Sequence, residues 1–227
     1  MKAFVAGATG GTGRCIVAEL VKRNIPVRAL VRDLEAAKQI LPAEVELVVG
    51  DVLKKETLVN AIADCTVLLS ATGAKPSLDP FAPYMVDYEG TKNLVNAAKA
   101  KGIEQFVMVS SLCTSLILHP LNLFWLVLFW KKQAEEFLQV SGLPYTIVRP
   151  GGLKYEDNDD VVIMKPADTL FEGSIPRPKV AKVCVDALFQ AIARNKIVEV
   201  IAKAGITEPT TEQSTDQAIA ELFANLA

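Results

Sequence analysis

A run of four apolar residues, Ala3-Phe4-Val5-Ala6, leads without a spacer into Gly7-Ala8-Thr9-Gly10-Gly11-Thr12-Gly13-Arg14, and a helix-patterned stretch follows from Cys15. A strand that turns straight into a helix leaves the first N–H groups of that helix without backbone partners. Glycines at 7, 10 and 13 let the chain turn tightly, bring backbone N–H groups close to an anion, and let the helix pack on the sheet. The setting reads as a pyrophosphate-binding turn, with Gly7, Thr9, Gly10, Gly11, Thr12 and Gly13 as the cradle of a dinucleotide. The spacing is GxxGxxG rather than GxGxxG, so the strand-turn-helix context carries the inference.

The same alternation continues downstream. Strand-like apolar runs fall at residues 2–6, 27–31, 45–49, 67–71, 105–109 and 145–148, with helical patterns at 11–23, 34–41, 54–63, 84–101 and 121–140. Continuous apolar strands separated by helices are the pattern of βαβ units whose sheet is buried on both faces. Right-handed crossovers then predict an α/β fold with a doubly wound parallel sheet in the order 3-2-1-4-5-6. Beyond Pro150 the pattern loosens into a polar loop and a short strand at 161–164, so residues 151–178 are expected to form a small substrate-side lobe. A helix at 179–193, a seventh strand at 197–202 and a terminal helix from Thr211 complete one domain over residues 1–227.

With 227 residues, half of them hydrophobic, the chain can bury a sizeable core. A formal charge of -2 argues against a general attraction to nucleic acid or anionic lipid. Cys15, Cys65, Cys113 and Cys184 have no CxxC spacing, which argues against a zinc site or a disulfide framework and for a reducing compartment. No metal site is expected. An N-terminus that enters a strand at once leaves no room for a signal peptide, so the expected home is cytoplasmic or a plastid stroma.

The end of the second strand discriminates between the two nicotinamide cofactors, because the adenosine ribose lies there. Arg32 follows the apolar run, and Arg14 flanks the glycine turn, so two guanidinium groups can meet a 2′-phosphate. NADP(H) is therefore expected over NAD(H). Asp33 stands just ahead of a helix, where an N-cap role suits it better than ribose binding. Asp51 and Val52 after the third strand suit an adenine contact, and Ala71-Thr72-Gly73 after the fourth would run beside the cofactor.

Taken together, the ordered segments resemble the atypical short-chain dehydrogenase/reductase superfamily, in the NAD(P)H-binding group of biliverdin reductase B and the plastid import component TIC 62. The carriers are VAGATGGTGR at 5–14, VRALVRD at 27–33, GDV at 50–52, VDYEGTKNLVNAAKAKGI at 86–103, VMVSSL at 107–112, SGLPYTIVRPGGL at 141–153 and SIPRPKVA at 174–181. The resemblance implies an extended Rossmann fold with the cofactor across the carboxyl edge of the sheet, ending near Pro150. The superfamily uses a Tyr-x-x-x-Lys pair; counting back from Arg149-Pro150 puts the lysine at Lys131 and leaves Val127 where the tyrosine would stand. A valine cannot donate a proton, which puts Ser-Tyr-Lys carbonyl chemistry in doubt, while Lys131 can still hold the nicotinamide ribose. Ser110 and Ser111 end the fifth strand, where either could meet a substrate; local backbone bonding is the competing role. His119, the sole histidine, is read as structural, and Tyr155 is the best placed of the four tyrosines to substitute as an acid.

Two functions remain open. One is an NADPH-dependent reductase passing hydride to a planar conjugated acceptor, a flavin or linear tetrapyrrole, which needs no dedicated phenol. The other is a non-catalytic NADP(H)-binding scaffold or assembly factor for photosynthetic or membrane-associated complexes, as the resemblance also implies. Residues 116–130, LILHPLNLFWLVLFW, bear on both. They are too few to span a bilayer and contain Pro120, so the segment is either a helix buried against the sheet or an exposed surface for a peripheral membrane or protein contact.

Overall fold

The computed structural model describes residues 1–75, 77–204 and 215–225. Six parallel strands, β1 (Ala3–Ala6), β2 (Val27–Val31), β3 (Glu46–Val49), β4 (Val67–Ser70), β5 (Gln105–Val109) and β6 (Tyr145–Pro150), lie in the order β3-β2-β1-β4-β5-β6. Four more follow in the chain: β7 (Gly152–Lys154), β8 (Val161–Pro166), β9 (Ser174–Pro176) and β10 (Lys196–Lys203). The expected seventh strand is β10, parallel to β6 from Lys196↔Thr146 to Val200↔Pro150. The order 3-2-1-4-5-6 reverses direction between β1 and β4, and that crevice is where a doubly wound sheet binds ligands.

Alternation along the strands builds two cores. Ala3 and Val5 pack on one face of the sheet, Phe4 and Ala6 on the other, and β5 divides in the same way between Val107 and Phe106. Helices α1 (Gly11–Lys22), α2 (Leu34–Lys38), α3 (Lys55–Ile62), α4 (Gly90–Lys101), α5 (Val127–Gln139), α6 (Arg177–Asp186) and α7 (Thr215–Ala224) connect and cover the strands. Ile16, Val17 and Leu20 of α1 share one core with Val180, Val183 and Cys184 of α6. Leu58 of α3, Leu94 of α4 and Leu138 of α5 share the other. Among the described residues, no helix is long and apolar enough to cross a membrane.

Three expectations are corrected. The single helix at 121–140 is instead a 3-10 turn, Pro120–Leu123, followed by Trp125 and Leu126 at φ 58° and only then α5. Asn122 causes the break: its Oδ1 accepts from the N–H groups of Leu128 (2.9 Å) and Phe129 (3.2 Å), capping α5, while its Nδ2 donates to the carbonyls of Leu116 and Ile117. The side chains this leaves outside are exposed, Leu118 by 97% and Leu123 by 84%, so residues 116–126 are not a helix buried against the sheet, whereas 127–130 open α5 with Leu128 buried. The helix at 179–193 ends at Asp186 and continues as two 3-10 turns, because Gln105 donates to the carbonyl of Ala187 and Thr146 to that of Ala193. Where one short strand is expected in the region 151–178 there are three, β7, β8 and β9, and β8 extends the sheet, pairing antiparallel with β10 from Val198↔Pro166 to Lys203↔Val161. For the terminal helix, Thr211 lies outside the described residues, and α7 is described from Thr215.

Candidate dinucleotide-binding site

The turn between β1 and α1 admits no side chains at its ends. Gly7 has φ +77°, and a Cβ there would lie 2.6 Å from the carbonyl oxygen of Ala71, at the end of β4. At Gly13 a Cβ would collide with the Gly7 carbonyl, so the first turn of α1 rests on the loop backbone itself. The N-cap Gly10 supplies no side-chain cap, and the first turn of α1 carries no acid. Helix N–H groups left without a side-chain acceptor, at the positive end of the helix dipole, suit an anion. The cradle therefore fits the diphosphate of a dinucleotide.

A cleft of about 370 Å³ opens from this turn along the carboxyl ends of the strands, lined by Gly7, Thr9 and Gly10, by Arg32 after β2, by Asp51 and Val52 after β3, and by Ala71, Thr72 and Gly73 after β4. Thr12 is buried in the first turn of α1, and Gly11 stands at its entrance. Arg32 is exposed at the cleft, while Arg14 lies exposed on α1. Asp33 acts as an N-cap, accepting from Ala36 N–H at 3.0 Å, which leaves Arg32 as the charged side chain of β2's end that lines the cleft. Asp51 accepts from Leu53 N–H at 3.0 Å and holds the loop after β3. That loop is pressed against α4: a Cβ on Gly90 would lie 2.8 Å from Val52 Cγ2, and Asn93 donates to the Val52 carbonyl at 2.9 Å. The segment at 86–103 thus shapes the cleft from behind.

Lys131 reaches the same edge. Its Nζ pairs with Asp87 Oδ1 at 2.7 Å, and both atoms stand beside Gly73, 3.6 and 3.5 Å from where a Cβ would be. Asp87 also accepts from Ala74 N–H at 3.2 Å, so one buried carboxylate ties the loop after β4 to the lysine. Asp87 lies on a π-helical turn, Tyr84–Glu89, and was missed in the sequence reading; its register with buried Thr91, Leu94 and Ala98 of α4 is the signal that places it inward.

The serines separate. Ser110 is buried and donates to Glu135 Oε1 at 2.5 Å, whereas Ser111 is half-buried at the end of β5. Glu135 also receives Arg149 through Nε (3.0 Å) and Nη2 (2.7 Å), and Arg149 Nη1 reaches Asp168 (2.8 Å) and Glu199 (3.3 Å). Glu199 in turn accepts from the N–H groups of Asp168, Thr169 and Leu170, fastening the loop after β8. Burial works against the Arg149 charge, but the bonds and charges of Glu135 and Asp168 outweigh it and hold its pKa above the ordinary value. For Asp168 burial pulls upward, and the bonds from Ser115 and Arg149 prevail, holding the carboxyl below its ordinary value. Arg149, Glu135 and Glu199 were also missed, although each is a charge inside an apolar run or stripe, where it must be paired.

His119 takes the structural role: its Nδ1 accepts from Leu121 N–H at 3.2 Å. Pro150 ends β6, its carbonyl receiving Leu112 N–H at 3.0 Å. Burial pushes the Cys15 thiol up, opposed by the charges of Arg14 and Arg177 and aided by that of Asp157.

Comparisons with known proteins give the chain a family and its fold relatives. The family model described as NAD(P)H-binding matches residues 7–191. An uncharacterized chloroplastic protein of Arabidopsis thaliana is 45% identical over 216 residues, covering 89% of this chain and 77% of that one. The chloroplastic protein TIC 62 of Pisum sativum is 37% identical over 92% of this chain, which spans only 44% of its length. Sanguinarine reductase of Eschscholzia californica is 30% identical, with 92% of each chain covered. Among solved structures, a Bacillus halodurans protein with the provisional name NAD-dependent epimerase/dehydratase superposes with a TM-score of 0.84 at 28% identity, covering 100% of both chains.

Proposed function

The chain belongs to the NAD(P)H-binding family, and on that premise we propose that it is an NADPH-dependent reductase passing hydride to a planar conjugated acceptor such as a flavin or a linear tetrapyrrole. The observation that carries the reading is Val127, four residues ahead of a Lys131 that is ion-paired beside the loop after β4. The side chain at 127 cannot donate a proton, while a lysine beside the loop after β4 would hold the ribose hydroxyls. When bound, the nicotinamide supplies the hydride. Addition to an electron-poor ring is driven by proximity and orientation, and its proton can come from solvent. Ser111 is the serine available to the acceptor, since Ser110 is committed to Glu135. Arg32 favours the 2′-phosphate of NADP(H) through charge-assisted bonds. That several relatives carry chloroplastic names supports a stromal setting.

Stopped-flow oxidation of NADPH against a panel of flavins, biliverdins and quinones tests the reading. One class should be reduced faster than in free solution, and Val127→Tyr should not raise that rate, because proton supply is not limiting. Lys131→Ala should lower turnover while NADPH remains bound. Oxidation at the free-solution rate with every acceptor would end the enzyme reading.

The exposed residues between Leu116 and Leu126 favour a second reading, a nucleotide-binding scaffold whose partner contacts run through this surface. Pull-downs with wild type and a Phe124→Ala/Trp125→Ala variant separate the two, since a scaffold loses association and a reductase keeps its turnover.

A further inference from the structure

Gly11 opens α1 without a side chain, and the space beside it is filled by Arg177, the first residue of α6. A Cβ on Gly11 would lie 2.8 Å from Arg177 Nε and 3.0 Å from Cδ. The guanidinium is held from the opposite side: its carbon lies 4.0 Å from the centroid of the Tyr155 ring, and Nη1 donates to the Leu153 carbonyl at 3.3 Å. Arg177 thus joins the phosphate turn to the start of the substrate-side lobe.

Among the described residues no carboxylate forms an ion pair with Arg177. The contacts of Arg177 among the described residues are a carbonyl and a ring face, neither of which neutralises a cation. Asp157, whose charge reaches Cys15 as that of Arg177 does, is itself paired with Lys179 at 3.3 Å. A cation set against the opening of α1 also faces the positive end of the helix dipole, an unfavourable placement unless an anion lies between them. The first turn of α1 offers none, having no acidic residue.

We propose that Arg177 is a side-chain contact for the diphosphate bridge of the cofactor, closing over the glycine turn and coupling the strap at 153–157 to cofactor occupancy. The proposal rests on the dinucleotide reading above and adds a residue outside the glycine motif. Gly11 then has a role distinct from that of Gly7 and Gly13: it leaves room for an arginine supplied from 166 residues later in the chain, by the difference of the two residue numbers. A planar guanidinium stacked on an aromatic face remains free at its edge to bond phosphate oxygens.

Calorimetric titration of the full chain with NADPH, NADH and ADP-ribose, and with adenosine 2′-monophosphate, which lacks the bridge, tests it. Arg177→Met should lose about tenfold or more for the three diphosphate ligands, leaving the NADPH-to-NADH ratio and the 2′-monophosphate affinity unchanged. Arg32→Ala should do the reverse, collapsing the ratio and sparing NADH and ADP-ribose. Gly11→Ala, whose new methyl displaces the flexible arginine, should reproduce the Arg177→Met pattern with Arg177 still present. Circular dichroism on each sample confirms that the variants are folded. Full affinity of Arg177→Met for all three diphosphate ligands overturns the proposal alone; absence of dinucleotide binding by the wild type overturns it together with the reading on which it rests.

Discussion

The two sides of the sheet's switch point are fastened by different means. On the cofactor side the parts close up on glycines: Gly7 lies against the Ala71 carbonyl, Gly13 against the Gly7 carbonyl, and Gly90 against the Val52 side chain. Beyond β5 the parts are fastened by charge, with Arg149 gathering Glu135, Asp168 and Glu199, and Glu199 gripping three successive N–H groups of the loop after β8. A cradle shaped by glycines recognises what all dinucleotides share. A loop fastened by ionic bonds can change its exposed residues while its anchor stays.

Breaking the ionic anchor gives the largest expected effect. Arg149→Met leaves Glu135 and Glu199, which are 0% and 1% exposed at the side chain, as buried carboxylates without their cation. Loss of one partner of a buried pair costs about 3–5 kcal/mol, to be read from urea unfolding; a loss below about 1 kcal/mol would show that the ionic network is not the fastener. Asp168 gives the same contrast a pH dependence. Its folded pKa is depressed, so its contribution is fully present above the unfolded value and is lost as pH falls through the folded one. Asp168→Asn, which tolerates the left-handed φ of 62°, should therefore narrow its stability gap to the wild type as the solution is acidified.

On the other side, Gly10→Val should abolish cofactor binding and leave the circular dichroism close to wild type. The Cβ at Gly10 would meet the Gly7 carbonyl at 3.2 Å, close but tolerable, while its branches occupy the approach to the helix N–H groups. A folded variant binding at full affinity would refute the phosphate-turn reading. Arg32→Ala comes next, at about tenfold or more in NADPH affinity with little change for NADH; equal losses would remove the 2′-phosphate assignment. The smallest effect should come from the apolar segment. Leu118→Ser and Leu123→Ser remove side chains that are almost wholly in solvent, so each should shift stability by no more than about 0.5 kcal/mol. A loss of several kcal/mol would mean that these leucines are packed in solution.

What could be read from the chain follows the same division. The strand order, the glycine turn and the Asp33 cap depend on short-range pattern, on periodicity and on residues that set their own backbone, and all are found as expected. The break before α5 was illegible because it depends on Asn122 reaching both backward and forward, and an apolar run of that length reads equally well as a helix. Ser110 looked available to a substrate because its partner Glu135 is 25 residues away on another element. Arg177 belongs to the same class, since the feature that gives it meaning is a glycine at the far end of the chain.

The pairing of β10 limits how the molecule can move. One edge of this strand continues the parallel sheet through β6, and its other edge carries β8, with β9 joined at Ala202. The lobe at 151–178 is therefore not suspended from a hinge, and a swinging closure would have to tear a hydrogen-bonded ladder. Opening and closing around a bound molecule falls to loops and single side chains. In amide exchange β6, β8 and β10 should open together as one cooperative unit, slowly and only with the sheet itself.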